Sequence, residues 1–279
     1  MFRTLFAKSF GDARWLLGGC VGMIFCLCWL LVYGASYLET SQFQRLLTEF
    51  FPDFVRRLFT VPLEFVTSPA GRVAAGYEHP GVLVVMSLWA IARGSESIAG
   101  GLAEGTLELV LAQPVSRLSV LLAHAAVTVV GCVAIAMAAW CGTAVGVTFI
   151  KLEMPVVAWP YVAAAGNLFA VGVFLAGATM LLGSFDRVRS RTVGLAIGFC
   201  AVEGILEIVS RQAPQFQWLP KTTFLSAYQP QKLVYQLLED PSAAGDVLFD
   251  HYAVLLVLGL VGFTMAAAVF ARRDLPAPL

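Results

Sequence analysis

Four charged residues stand inside otherwise apolar stretches of this sequence, Arg93 and Glu96 in one and Glu203 and Glu207 in another. A charge facing lipid is expensive, so such groups turn toward protein or water and are candidates for an ion pair, a cation site or a proton relay. Glu203 and Glu207 are four residues apart, which puts both carboxylates on one face of a helix. Counting helical rise from the inner ends of the two stretches places Arg93 and Glu203 at comparable depth. That predicts an ion pair between them, serving either to fix packing or to line a pathway for a cation or proton. Other chemistry is thinly provided. The histidines precede Pro80, Ala125 and Tyr252, so there is no His-Glu-x-x-His zinc helix, and no Gly-x-Ser-x-Gly elbow exists. Lys8, Lys151, Lys221 and Lys232 follow Ala, Ile, Pro and Gln, so no Gly-Lys-Ser/Thr phosphate loop is formed. All six cysteines lie in apolar runs, as small hydrophobes. No catalytic residue, metal or cofactor is expected in this chain.

The elements that hold these groups are set by composition. With 59% hydrophobic and 13% charged residues and a mean hydropathy of +0.80, the chain is too apolar for a water-soluble domain. The balance of 18 basic and 18 acidic residues gives no pull toward nucleic acid. A helix needs about 20 apolar residues to cross a hydrocarbon core. Six stretches qualify, at about 15–38, 80–101, 118–150, 154–185, 192–210 and 252–271. The expected fold class is all-α, a polytopic membrane protein with six transmembrane helices and an N-terminal amphipathic surface helix. That surface helix, residues 1–14, repeats Phe2, Leu5, Phe6, Phe10 and Ala13 at helical spacing, with Arg3, Lys8, Asp12 and Arg14 opposite. Its alternative is a plain extension of span one.

Basic residues near span ends are retained on the cytoplasmic side. Arg187, Arg189 and Arg191 crowd the link between spans four and five; Arg3, Lys8 and Arg14 precede span one; Arg272 and Arg273 follow span six. These clusters predict a multi-pass protein of the inner, cytoplasmic membrane with both termini cytoplasmic. The outer loops, Phe43 to Phe65 and Arg211 to Asp250, are aromatic and broken by prolines, and short interfacial or re-entrant helices are expected there. Gly142-x-x-x-Gly146 predicts a close helix contact.

The stretch from Ile91 to Arg117 leaves the membrane and turns. Gly100, Gly101 and Gly105 loosen it, Thr106 to Ala112 forms a short segment, and the Gln113-Pro114 step ends it. A short surface helix with leucines and charges facing outward, supported by Glu104, Glu108 and Arg117, suits docking against a soluble partner.

Here the sequence resembles type-2 ABC transporter permeases, in which a segment of this form joins spans two and three. Gly105-Thr106-Leu107-Glu108-Leu109 and Pro114-Val115-Ser116-Arg117 match at the right spacing; Gly101 departs, standing where the family usually has an acid. The resemblance implies a single transmembrane permease domain over residues 1–279. It implies an ATPase-docking (coupling) segment of Glu104, Gly105, Thr106, Leu107, Glu108, Leu109, Pro114 and Arg117. It further implies a separate cytoplasmic ABC ATPase that holds the ATP and Mg, a second permease chain, identical or related, surrounding membrane lipid, and export as the direction. The alternative from another class is a self-sufficient ion-coupled carrier or channel using Glu203 and Glu207.

Overall fold

The computed structural model describes residues 2–37, 39–45, 49, 60–212, 218, 223–241 and 244–273. Among them the chain is helical throughout its ordered elements, with α1 (Phe2–Ser36), α2 (Thr40–Arg45), α3 (Leu63–Thr67), α4 (Pro69–Ala75), α5 (Pro80–Ser95), α6 (Thr106–Leu111), α7 (Arg117–Phe149), α8 (Tyr161–Phe185), α9 (Arg189–Gln212), α10 (Pro230–Glu239) and α11 (Ala244–Arg272). Six candidate spans are present: Phe2–Ser36, Pro69–Ala103, Arg117–Phe149, Tyr161–Phe185, Arg189–Ser210 and Phe249–Arg272. The expected all-α, six-span protein is what the chain forms.

Residues 2–14 are helical, as expected, but no cap or bend separates them from span one. At about 1.5 Å per residue a helix of 35 residues is roughly 52 Å long, well beyond a hydrocarbon core of about 30 Å. Its charged first turns therefore extend past the core. The aromatic stripe persists there, with Phe6 stacked on Phe10, while Ser9 and Ala13 on the adjoining face are buried. Span two begins earlier than expected. It includes α4 and a 3-10 turn (Gly76–Glu78) before Pro80, where the His79 side chain accepts a hydrogen bond from the Gly81 N–H and starts α5. Span four starts later, at Tyr161, because Pro155 and Pro160 hold the preceding residues out of a helix.

Helix α8 is the centre of the bundle. It is apolar all round, the pattern of a helix buried on every side, and its small residues let neighbours approach: a Cβ at Gly177 would lie 2.2 Å from the Gly259 carbonyl oxygen of α11. Helices α5, α7, α9, α10 and α11 all pack on it, while α1 lies chiefly along α7. The Gly142/Gly146 contact is real and its partner is α1. A Cβ at Gly142 would meet the Phe25 carbonyl oxygen at 2.4 Å, and one at Gly146 would meet Val32 Cβ at 2.8 Å. Between tightly packed helices every buried polar group needs a partner; Trp89 Nε1 donates to the Thr128 carbonyl at 2.9 Å. Span five, α9, is the least covered of the six.

The start of α1 and the end of α11 meet at one end of the bundle, where Leu5 of α1 packs on a cluster that includes Phe270 of α11. The opposite end is closed by α3, α4, α10 and a 3-10 turn, Phe224–Ala227. Asn167 of α8 pins that turn: its Nδ2 donates to the Ala227 carbonyl at 3.1 Å and its Oδ1 accepts the Gln229 N–H at 3.0 Å. The expected short helices of the outer loops are thus found at α2, α3, α10 and the 224–227 turn; residues 50–59, 213–217 and 219–222 of those loops lie outside the described residues.

Candidate functional site

The connector between spans two and three lies at the end that carries both termini. Helix α5 leaves through a π-helical turn, Glu96–Gly100, and a last turn, Gly101–Ala103. Gly105 then takes φ +68°, a left-handed conformation that favours glycine, and α6 follows. Pro114 ends the segment and Ser116 caps α7, its Oγ accepting the Ser119 N–H at 3.1 Å.

The two leucines of α6 separate. Leu107 is buried in one cluster with Ile98, Val120, Leu121, Met180 and Phe270, whereas Leu109 is 73% exposed. Residues two apart on a helix point in nearly opposite directions, so they could not share an outward face as expected. Leu107 anchors the connector and Leu109 stands away from the bundle. Gly101 belongs to the same contact. A Cβ there would lie 3.1 Å from Leu107 Cβ, so an acid at this position would press on the anchor. Glu104 is exposed; the side chains of Thr106 and Glu108 are outside the described set.

Arg117 does not join an outward charged face. Its Nη1 donates to the carbonyl oxygens of Arg273 at 2.6 Å and Phe270 at 3.4 Å. The guanidinium caps the C-terminus of α11, satisfying carbonyls that have no intrahelical partner.

The expected Arg93–Glu203 ion pair is not formed. Arg93 is buried and its Nη2 donates to Ser9 Oγ at 2.7 Å and to the Ser9 carbonyl at 3.4 Å. The spans are registered instead by Glu96 and Arg189, whose charged atoms are 2.7 Å apart. Along α9, Glu203 is 14 residues beyond Arg189, about 21 Å, while Arg93 is three residues from Glu96, about 4.5 Å. That leaves roughly 16 Å of depth between the residues expected to pair. Glu203, also buried, accepts the Phe224 N–H at 3.0 Å, and Glu207 accepts the Thr223 hydroxyl at 3.0 Å. The four membrane charges therefore divide, Arg93 and Glu96 beside the connector, Glu203 and Glu207 fastening the 223–227 turn. Sequence reasoning missed Ser9 and Asn167, which hold Arg93 and that same turn.

The link between spans four and five is a compact charged knot. Asp186 Oδ1 accepts the N–H groups of Arg187 at 2.7 Å and Val188 at 3.1 Å, and Oδ2 lies 3.3 Å from Arg191 Nε. Those contacts, the Val188 N–H foremost, hold its carboxyl below the usual aspartate range. Arg273 Nη1 donates to the Ser184 and Asp186 carbonyls at 2.8 and 2.9 Å. Such a knot ties span six to the four-to-five link, next to the connector that Arg117 ties to span six.

Two cavities adjoin these groups. One, of about 240 Å3, lies under the connector and is lined by Lys8, Ser9, Asp12, Glu96, Glu104 and His124 among others. The second is a furrow between α5 and α9. Its larger part, about 870 Å3, runs from Arg189 and Ser190 past Ile91, Leu88, Val193 and Ile197. Its smaller part, about 480 Å3, shares Val84, Ser87 and Cys200 with the first and ends at Glu207, Phe224 and Tyr228. Among the described residues no group of His, Cys, Asp and Glu side chains is arranged to hold a metal ion.

An exposed short helix between spans two and three, on a six-span bundle, is the arrangement that the connector's sequence suggested. A family model described as "ABC-2 family transporter protein" matches residues 12–275. The chain belongs to the ABC-2 transporter family. It is a membrane permease subunit of an ABC transporter, a multi-pass membrane protein, and not itself the ATPase with which such permeases partner. No match was found among curated proteins. In this permease Leu109 of the connector is exposed, whereas Arg93 and Glu203 are buried with hydrogen-bond partners.

Proposed function

We propose that this permease is the membrane half of an exporter, and that a cytoplasmic ABC ATPase docks on its connector through Glu104, Leu109 and the outward side of α6. The observation that carries this reading is the division of the two leucines. A large apolar side chain held 73% exposed, on a helix anchored from beneath by Leu107, is the arrangement of a contact residue waiting for its partner. Leu107 belongs to a buried cluster that also holds residues of α7, α8 and α11, a route by which force on α6 would reach the bundle. ATP and Mg belong to the partner. The basic residues of the chain-end face, Arg3, Lys8, Arg187, Arg189, Arg191, Arg272 and Arg273, support a cytoplasmic position for that face.

A second permease chain completes the pathway in this reading. Span five offers Gly194 and Gly198 with nothing within 4 Å of a Cβ at either position, a spacing that allows helices to approach closely. They lie beside the α5/α9 furrow, so a second copy seated there would enclose the furrow as a passage. Surrounding lipid covers the rest.

A single cysteine in place of Leu109, in a chain otherwise free of cysteine, tests docking and orientation together. The expected result is labelling by a membrane-impermeant maleimide in inside-out vesicles only, blocked when the ATPase is bound. Labelling from the opposite side, or labelling indifferent to the ATPase, contradicts the proposal.

A further inference from the structure

We infer that the cargo of the α5/α9 furrow is a single-chain anionic amphiphile, a molecule with a long hydrocarbon tail and a carboxylate or phosphate head. This rests on the reading that the furrow lines the passage, and it names what the passage admits.

The lining decides against a hydrated cargo. Between Arg189 at one end and Glu207 at the other, the two parts of the furrow are lined largely by Leu83, Val84, Leu88, Ile91, Val193 and Ile197, with Ser87, Ser190 and Cys200 among them. A sugar or an ion drawn along that wall gives up its water and finds almost nothing to replace it. Beyond its first turn, α9 also exposes Leu195, Phe199, Val202 and Ile205 beside the furrow. A hydrocarbon tail meets no such penalty, and the furrow's length along α5, from Pro80 to Ala92, is about 18 Å, suited to an extended chain.

The ends differ in sign, which orients the head. At the chain-end mouth, among the described residues, Arg187, Arg189, Arg191 and Arg273 stand with two acids, Glu96 paired to Arg189 and Asp186 paired to Arg191, an excess of positive charge. Arg189 and Ser190 line the furrow itself. At the far end stand Glu207 and Glu78 beside Phe224 and Tyr228. An anionic head therefore rests at the Arg189 mouth with its tail toward Phe224.

The test uses the whole chain in phosphatidylcholine nanodiscs, photolabelled with palmitic acid carrying a diazirine in its tail. Labelling should saturate, map to α5 and α9, and be lost in Ser87→Trp, which fills the furrow, but kept in Val133→Trp on the exposed face of α7. On the wild-type chain, unlabelled palmitate should compete about tenfold better than hexadecanol or hexadecylammonium, the ratio expected for one charge-assisted contact. Labelling that rises without saturation and spreads equally over Val130, Val133 and Met137 of α7 reports bulk lipid and overturns the proposal. Equal competition by the three chains overturns the anionic head. The same preparations are assayed for a copurifying ATPase: its presence without saturable labelling removes the cargo class alone, and its absence with saturable labelling removes the permease pairing alone.

Discussion

Arg189 and Glu96 stand 2.7 Å apart, and this one contact sets how far span five is slid along span two. Because α9 runs away from Arg189 and α5 runs toward Glu96, the pair aligns the ends of both helices that lie beside the connector. Everything further out follows from it. Glu203 and Glu207 arrive level with the 223–227 turn, and the two cavities of the furrow follow one another between the helices.

Both partners are about one-third exposed, so the direct stabilisation is modest. Glu96→Ala and Arg189→Ala are each expected to cost ~1 kcal/mol or less, with most of the loss shared in a double-mutant cycle. Exchanging the two residues should recover the stability that either single reversal removes. Thermal unfolding in detergent, followed for each of these variants, reads the coupling.

Glu203 acts here as an acceptor for a buried backbone N–H. Glu203→Gln keeps an acceptor oxygen and is expected to keep transport and assembly. Glu203→Leu leaves the Phe224 N–H without a partner and should cost about 1–3 kcal/mol, loosening the turn. Cysteine accessibility at Ser226 reports that loosening. Loss of transport in a folded Glu203→Gln protein would instead revive an ion-coupling carboxylate.

Glycines at contacts and glycines on free faces should behave oppositely. Gly142→Val drives a side chain into the Phe25 carbonyl and is expected to destabilise the monomer by about 1–3 kcal/mol or more. Gly198→Val, with nothing near it, should leave monomer stability unchanged and weaken the pairing of two copies. Size-exclusion chromatography with light scattering separates the two effects.

The Asp186 knot carries a pH signature. Its carboxyl is depressed in the folded state, so the stabilisation is present at neutral pH, above the unfolded value, and is lost as the pH falls through the folded one. The link between spans four and five should therefore loosen only in acid, below the ordinary aspartate range. Asp186→Asn should abolish that acid dependence while lowering stability at pH 7, read by hydrogen exchange at Val188.

The sequence made the spans legible because run length alone dictates them, and it marked the connector through its glycines and Pro114. It also marked Gly142/Gly146, without naming α1 as the partner. The partners of the charges were not legible. Whether Arg93 meets Glu203 depends on how two helices slide, and the Glu96–Arg189 contact that sets the slide joins a span to a link residue counted only as an orientation signal. Ser9 was hidden because residues 1–14 read as a surface helix rather than as the first turns of α1. Arg117 read as an exposed charge, since no linear pattern reveals that the end of span six lies beneath it. Asn167 was overlooked as one polar residue in a long apolar run, though a buried amide is itself a sign of something held.

The central claim is that the outward side of α6 carries the ATPase. The most direct measurement is a tagged purification from native membranes in mild detergent of the unaltered chain and of the Glu104→Lys/Leu109→Arg variant. The account predicts a Walker-motif ATPase in near-equal amount with the first, and its loss from a still monodisperse second. Intact preparations that repeatedly contain no ATPase, or a variant that retains it in full, would contradict the account.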